Sequence, residues 1–327
     1  MRRRDLVLLA AGMAVARART ADASQDPPVV AFMGFASPEG DRITLEALRE
    51  GLRTLGHVDG RTLVVESRHA SGDLQLAARE IEAFARRPVA VFLAPGPAAA
   101  RAIRRVTAIP VVAIGLPAGG AGTDLFASLA RPGGTVTGFS NFGEELSAKR
   151  IEILREALPG TQVIGILHNA TDPVFREWGE QTEDSARAQG LRPMRLGVRS
   201  LSPTDLGALL RSLKDAGGDT LIVIRDFLTT PLRDEICRQA LGLRIAVVAE
   251  VAEFVPAGAL MSYGPDIPDL FRRAATYVDR IIKGEKPGDL PIQLPTKFEL
   301  AVNLDTARRL GHVLPTSIIL RADRVVE

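Results

Sequence analysis

The sequence predicts an α/β protein built from two doubly wound parallel-sheet lobes joined by hinge crossovers. Short, near-continuous apolar runs alternate with amphipathic helices along the chain. Runs apolar on both faces indicate parallel strands covered by helices, because parallel strands need crossover connections. The same alternation lies on each side of a central segment, Thr135 to Pro159. Gly134 and Gly138 give its first half freedom to bend, and Leu146, Ile153, Leu154 and Leu158 give its second half helical spacing. With 327 residues and 46% hydrophobic content, the chain can bury two cores of ordinary size.

Val29 to Met33 is the first strand, ending at Gly34-Phe35-Ala36-Ser37, and Leu45, Leu48, Leu52 and Leu55 mark a helix stopped by Gly56. Leu63 to Glu66 is the second strand; a helix through Leu74, Ala77, Ile81 and Phe84 follows a cap at Ser71 or Asp73, and Val89 to Leu93 is the third strand. Pro97 sits in the first turn of the next helix, where its missing N–H costs nothing, and Val111 to Ile114 is the fourth strand. Beyond the central segment come strands at Val163 to Leu167, Met194 to Val198, Thr220 to Ile224, Ile245 to Ala249 and Ala259 to Ser262. Helices through Trp178 and through Leu206, Leu209, Leu210 and Leu213 separate them. A last strong helix uses Leu270, Phe271, Ala274, Val278, Ile281 and Ile282 and ends at Gly284. The expected division is lobe 1 at residues 29–138 with about 264–288, and lobe 2 at residues 139–263 with about 289–327.

Arg2, Arg3 and Arg4 precede an apolar run from Leu6 to Ala16 and then small-residue patterns at Ala16-Arg17-Ala18 and Ala21-Asp22-Ala23, the layout of an export signal over residues 1–23. Arg3-Arg4-Asp5-Leu6-Val7 resembles a twin-arginine signal, and the ordinary secretory route fits as well. No later stretch reaches the roughly 20 apolar residues of a membrane span. No cysteine stands near the cleavage region, so the expectation is a soluble periplasmic protein and not a lipoprotein. The single cysteine, Cys237, lies in a helical pattern and reads as a buried small hydrophobe. The formal charge is +2, but the first 23 residues hold five Arg and two Asp, leaving 36 basic against 37 acidic residues. A near-neutral body with 5% aromatics argues against nucleic acid as a partner.

Enzyme chemistry finds little footing. His57, His69, His168 and His312 are scattered without metal-ligand spacing. Gly138-Phe139-Ser140-Asn141-Phe142-Gly143 has its second glycine one residue too far for a nucleophile elbow, and Gly119-Gly120-Ala121-Gly122 lacks the spacing of a dinucleotide fingerprint. No catalytic residue, cofactor or metal is therefore expected. In open parallel sheets, ligands sit beyond the carboxyl ends of strands, which selects the loops Gly34 to Ser37, Ala94 to Ala98, Gly115 to Gly120, His168 to Asp172, Arg225 to Asp226, Glu250, and Tyr263 to Gly264. The turns at Ser37 and at Gly96, Pro97 and Ala98 can offer helix N–H groups to a carboxylate. Asp226, or Glu250 one strand later, can accept an ammonium, while Arg225 can pair with a carboxylate or with those acids. Phe35, Phe227 and Tyr263 stand at strand ends as an apolar wall, Asn169 is a further polar candidate, and Phe175 and Trp178 read as core.

Several later segments are recognisable: Leu129 to Gly138 (Leu-Ala-Arg-Pro-Gly-Gly-Thr-Val-Thr-Gly), Ala148 to Pro159, Gly258 to Gly264 (Gly-Ala-Leu-Met-Ser-Tyr-Gly), Pro291 to Leu304, and the ending Arg321 to Glu327. In this order they resemble the ABC-transporter substrate-binding protein family that includes tryptophan/tyrosine-type solute receptors. The resemblance implies a type I periplasmic-binding-protein fold, a monomer, capture of a small solute, amino-acid-like and possibly aromatic, and delivery to an ABC permease complex in the inner membrane. Asp226 matches the family's usual acidic position, and Glu250 matches the acid ahead of Glu253-Phe254. The chain departs from the family at Gly96-Pro97-Ala98, where many relatives have Gly-Thr-Pro-Ala, at Leu116-Pro117-Ala118, where Asp-Pro-Val is usual, and at Ala252, where Arg is common. Those departures point to a ligand other than that of the amino-acid-binding relatives. The same fold would also serve an exported sensor that engages a signalling receptor.

Overall fold

The computed structural model describes residues 26–120, 124–141 and 143–327. The export signal read at residues 1–23, together with Ala121, Gly122 and Phe142, lies outside them. Five strands form the first sheet: β1 (Val29–Gly34), β2 (Val64–His69), β3 (Val89–Ala94), β4 (Val111–Leu116) and β5 (Val136–Ser140). Helices α1 (Arg42–Thr54), α2 (Leu74–Ala85) and α3 (Pro97–Val106) connect them, and the order is β2-β1-β3-β4-β5 with every pairing parallel. Of the two candidate caps for α2, Asp73 fills the role, its carboxylate accepting from the amides of Gln75 at 2.8 Å and Leu76 at 3.0 Å.

After α4 (Gly143–Ala157) the second sheet repeats the pattern with β6 (Val163–Asn169), α5 (Pro173–Ala188), β7 (Arg192–Val198), α6 (Pro203–Asp215), β8 (Thr220–Val223), α7 (Arg233–Gly242), β9 (Ala246–Ala249) and β10 (Met261–Pro265). Its parallel part runs β7-β6-β8-β9-β10, the same winding as the first sheet. Alternate residues of each strand enter different cores. In β1, Val30 and Phe32 meet Leu45 and Leu48 of α1, while Ala31 and Met33 belong with Ile81 and Phe84 of α2. In the second sheet, Leu221 and Val223 share a core with Leu206 and Leu210, and Ile222 shares one with Ile151 and Leu154. Covering both faces in this way is what near-continuous apolar strands require.

The C-terminal part adds what periodicity did not show. From β10 the chain enters α8 (Ile267–Ile282), which packs against α1 and against β3, β4 and β5 of the first sheet. Residues Leu290–Gln293 then run beside β5: Thr137 donates to the Leu290 carbonyl, and the Gln293 amide to that of Gly138 at 3.0 Å. Only then does the chain return as β11 (Phe298–Asn303), α9 (Leu304–Leu310), α10 (Thr316–Arg321) and β12 (Arg324–Val326). The β10–β11 pair is antiparallel, a departure from the all-parallel sheets expected. The cause is topological: the chain leaves the sheet at the carboxyl end of β10, passes through the other lobe, and re-enters from that same end. Among the described residues the chain thus passes between the lobes after Ser140, at Pro265–Ile267 and after Gln293.

Gly138 owes its place to close approach more than to bending. Its φ is +143°, and a Cβ there would overlap the Ala113 carbonyl and amide on β4. Gly138→Ala is expected to lower the unfolding free energy by at least about 1–3 kcal/mol, read from the urea midpoint. Cys237 is fully buried, and burial pushes its thiol up to about 12, so it is a core residue without thiolate reactivity at neutral pH. Among the described residues, no helix is long and apolar enough to cross a membrane.

Candidate ligand cleft between the two lobes

In each sheet the strand order reverses once, between β1 and β3 in the first and between β6 and β8 in the second. Loops leaving such a switch point diverge to opposite faces and leave a crevice at the carboxyl ends. The two crevices face each other. From the first lobe come Phe35, Gly96, Pro97 and Ala98, and from the second come Arg225, Asp226, Phe227 and Thr230. Asn141, the residue after β5 on the first crossing, closes the hinge side, and Phe175 and Trp178 of α5 line the second lobe. The free space between them is about 50 Å³.

Asp226 is the charged centre of this cleft. It is 5% exposed, and its Oδ1 accepts from the Leu228 amide at 3.0 Å, the Thr229 amide at 2.8 Å and the Thr229 hydroxyl at 3.0 Å. Oδ2 has no hydrogen-bond partner, and no Lys, Arg or His among the described residues forms an ion pair with this carboxylate. Burial pushes the carboxyl up to about 6, against the pull of Thr229, Asn169 and Leu228. The buried Thr230 Oγ1 and the Asn141 Oδ1 also lack partners and line the same space. Buried polar atoms in native proteins are nearly always satisfied, so a cluster of unsatisfied ones in a cleft marks a place for a ligand or for water. No side chain caps α3, whose leading N–H groups open onto the cleft behind Gly96 at φ +132°.

Of the other charged groups lining this space, Asp41 has a hydrogen-bonded partner and the Arg225 Nε has none. Asp41 is held by His69 Nδ1 at 3.0 Å, and Arg225 Nε lies 3.6 Å from Glu253. Across the lobes, Arg101 of α3 lies 3.5 Å from Asp172, the cap of α5, and the rings of Phe35 and Phe227 meet edge to face at 5.8 Å.

The structure brings six of the sequence candidates together, Phe35, Gly96, Pro97, Ala98, Asp226 and Phe227, and gives the other four separate work. Ser37 accepts the Gly40 amide at 3.1 Å and shapes the turn into α1. Asn169 is fully buried; its Oδ1 accepts from the amide and hydroxyl of Thr171, and its amide group lies beside Asp226 without hydrogen-bond alignment. Glu250 is turned toward the crossings, where its Oε1 lies 3.2 Å from Arg150 Nη1 and its Oε2 accepts the Arg225 amide at 2.9 Å. Tyr263 stacks on Phe298 at 6.5 Å, and its carbonyl accepts from Arg150 Nε at 3.0 Å.

Arg150, Asn141 and Thr230 were absent from the sequence candidates. Asn141 stands at the carboxyl end of a strand and was open to the same rule as the others. Arg150 also left a signal, because it falls four residues after Leu146 and four before Leu154, on the buried stripe of α4. Thr230 left none. Phe175 and Trp178 are buried, as core residues are, and their edge-to-face pair at 5.2 Å also faces the cleft.

A family model described as ABC transporter substrate binding protein matches residues 29–326. Among solved structures, a conserved domain protein from Vibrio cholerae O1 biovar El Tor superposes with a TM-score of 0.84 at 22% identity, covering 92% of this chain and 100% of that one. The ABC domain of Streptococcus pneumoniae in complex with L-Trp gives 0.84 at 20% identity, with the same coverage. The ligand-free, open structure of CD0873, a substrate binding protein with adhesive properties from Clostridium difficile, gives 0.67 at 20% identity over 92% of this chain and 99% of that one. No match was found among curated protein sequences.

Proposed function

The chain belongs to the ABC transporter substrate binding protein family, and from that premise we propose that it is the exported receptor of an importer, closing on a small amino-acid-like solute and presenting it to a permease complex. The observation that carries this reading is the unpartnered Oδ2 of Asp226, buried between the two switch points with the unpartnered Thr230 and Asn141 oxygens beside it. An ammonium group docks on Asp226. A carboxylate takes the opposite end, where the first turn of α3 supplies N–H groups and Arg225 supplies charge. Phe35 and Phe227 exclude water from the pair. The narrow cleft, and closer superposition on the L-Trp-bound relative than on the ligand-free, open one, support reading this arrangement as the closed form.

In this mechanism the crossings after Ser140, at Pro265–Ile267 and after Gln293 absorb the motion. Solute binding stabilises the closed state because only that state lets both lobes touch it, and the gain in affinity equals this differential contact. A micromolar solute corresponds to about −8 kcal/mol. Native mass spectrometry of the purified protein, followed by calorimetry against amino acids and related amines, is expected to show one solute per chain, recovered with its mass unchanged. A bound compound released in chemically altered form would contradict the reading.

A further inference from the structure

We propose that the solute is a compact ammonium compound without a ring, and that the Phe35–Phe227 pair is the wall that sets this limit. This rests on the reading that the cleft holds a solute, and it names the class. The space beside Asp226 is about 50 Å³. Sites for drug-sized ligands run to roughly 300–1,000 Å³. An indole or phenol ring with its amino-acid backbone does not fit this chamber as it stands.

What confines it is the aromatic pair. On the far side of the two rings lies a second space of about 550 Å³, which Phe35, Ala98 and Phe227 also line. Phe35 and Phe227 therefore divide one groove into a small inner chamber and a large outer one. Phe35 is 3% exposed and packed into the first-lobe core, so it is fixed. Phe227 comes from the second lobe and completes the wall only when the lobes are together. A solute carrying a ring would have to take the place of the Phe227 side chain.

The charge requirement is equally narrow. Asp41 is held by His69, and Arg225 lies against Glu253, which leaves Asp226 as the cleft acid without a cation among the described residues. One ammonium group satisfies it. Two solute classes share that chemistry, small aliphatic or hydroxylated amino acids and short amino alcohols, and they differ in the carboxylate.

Calorimetry with wild type, Phe227→Ala and Phe227→Leu against alanine, serine, ethanolamine, phenylalanine and tryptophan tests the proposal. Wild type is expected to bind at least one of the first three at least about tenfold more tightly than either aromatic amino acid. Phe227→Ala is expected to gain at least about tenfold for the aromatic pair, while Phe227→Leu, which keeps an apolar wall and controls for folding, stays near wild type. Preference for alanine and serine over ethanolamine would assign the amino-acid class, and the reverse the amino alcohols. Wild type binding tryptophan as tightly as any compact compound overturns the size limit while leaving the solute-receptor reading intact. Absence of binding by all five compounds in all three proteins overturns both.

Discussion

Arg150→Ala is expected to lower the unfolding free energy by about 3–5 kcal/mol, the range for removing one partner of a buried ion pair. The guanidinium is 1% exposed, and burial pulls its pKa below the ordinary range while Glu250 pulls it back. Two contacts hold it, to Glu250 at 3.2 Å and to the Tyr263 carbonyl at 3.0 Å. Truncation leaves Glu250, 6% exposed, with a charge met only by the Arg225 amide, and leaves the Tyr263 carbonyl without its side-chain donor. The position magnifies the effect. Arg150 lies on the first helix after one crossing, and Tyr263 on the last strand before the next, so the pair ties both joints to the second sheet. Urea titration is expected to show a lower midpoint at unchanged slope. Adding Glu250→Gln to Arg150→Met should recover much of the loss, because the double variant leaves no unpaired buried charge. A single-variant loss under about 1 kcal/mol would mean that water reaches Glu250 and screens it.

Asp226→Asn is expected to act in opposite directions on stability and on binding. A carboxyl whose folded-state pKa stands above its unfolded value contributes stability that is complete below the unfolded pKa and is lost as pH rises through the folded one. For Asp226 that window runs from 3.8 to about 6. Two units correspond to about 3 kcal/mol, so at pH 8 the empty protein carries a penalty of that order at this residue. Asn keeps an oxygen for the Leu228 and Thr229 donors and removes the charge. The variant should therefore unfold at higher urea than wild type at pH 8, with the gap closing toward pH 4. Its affinity for an ammonium solute should fall by about 2–5 kcal/mol, at least about thirtyfold. In wild type, affinity should likewise weaken as pH drops below about 6, where Asp226 takes up a proton. A variant less stable than wild type at pH 8, or one with unchanged affinity, would remove Asp226 from the centre of the site.

Much of this was legible in the chain because it depends on local pattern. Apolar runs such as Val111 to Ile114 and Thr220 to Ile224 are too continuous for one-sided sheets, and the parallel winding follows from them. The carboxyl-end rule then led from the strands to Phe35, Gly96 and Asp226 without any knowledge of contacts. What was illegible depends on the path of the chain between lobes. Phe298 to Asn303 has the composition of a strand, but its antiparallel direction follows only from the detour through α8. Glu250 and Asp226 looked equivalent, each following an apolar strand. They part because α4 brings Arg150 to one and nothing cationic among the described residues comes to the other. The strand-end position of Tyr263 points to an apolar wall, and the return of β11 instead places Phe298 against its ring.

The most direct measurement of the central claim is native mass spectrometry of wild type and Asp226→Asn after identical incubation with the calorimetrically identified solute. The account predicts one solute per wild-type chain, released intact, and at least about thirtyfold lower occupancy affinity in the variant. Equal occupancy in the two proteins, or a solute returned with a changed mass, would contradict it.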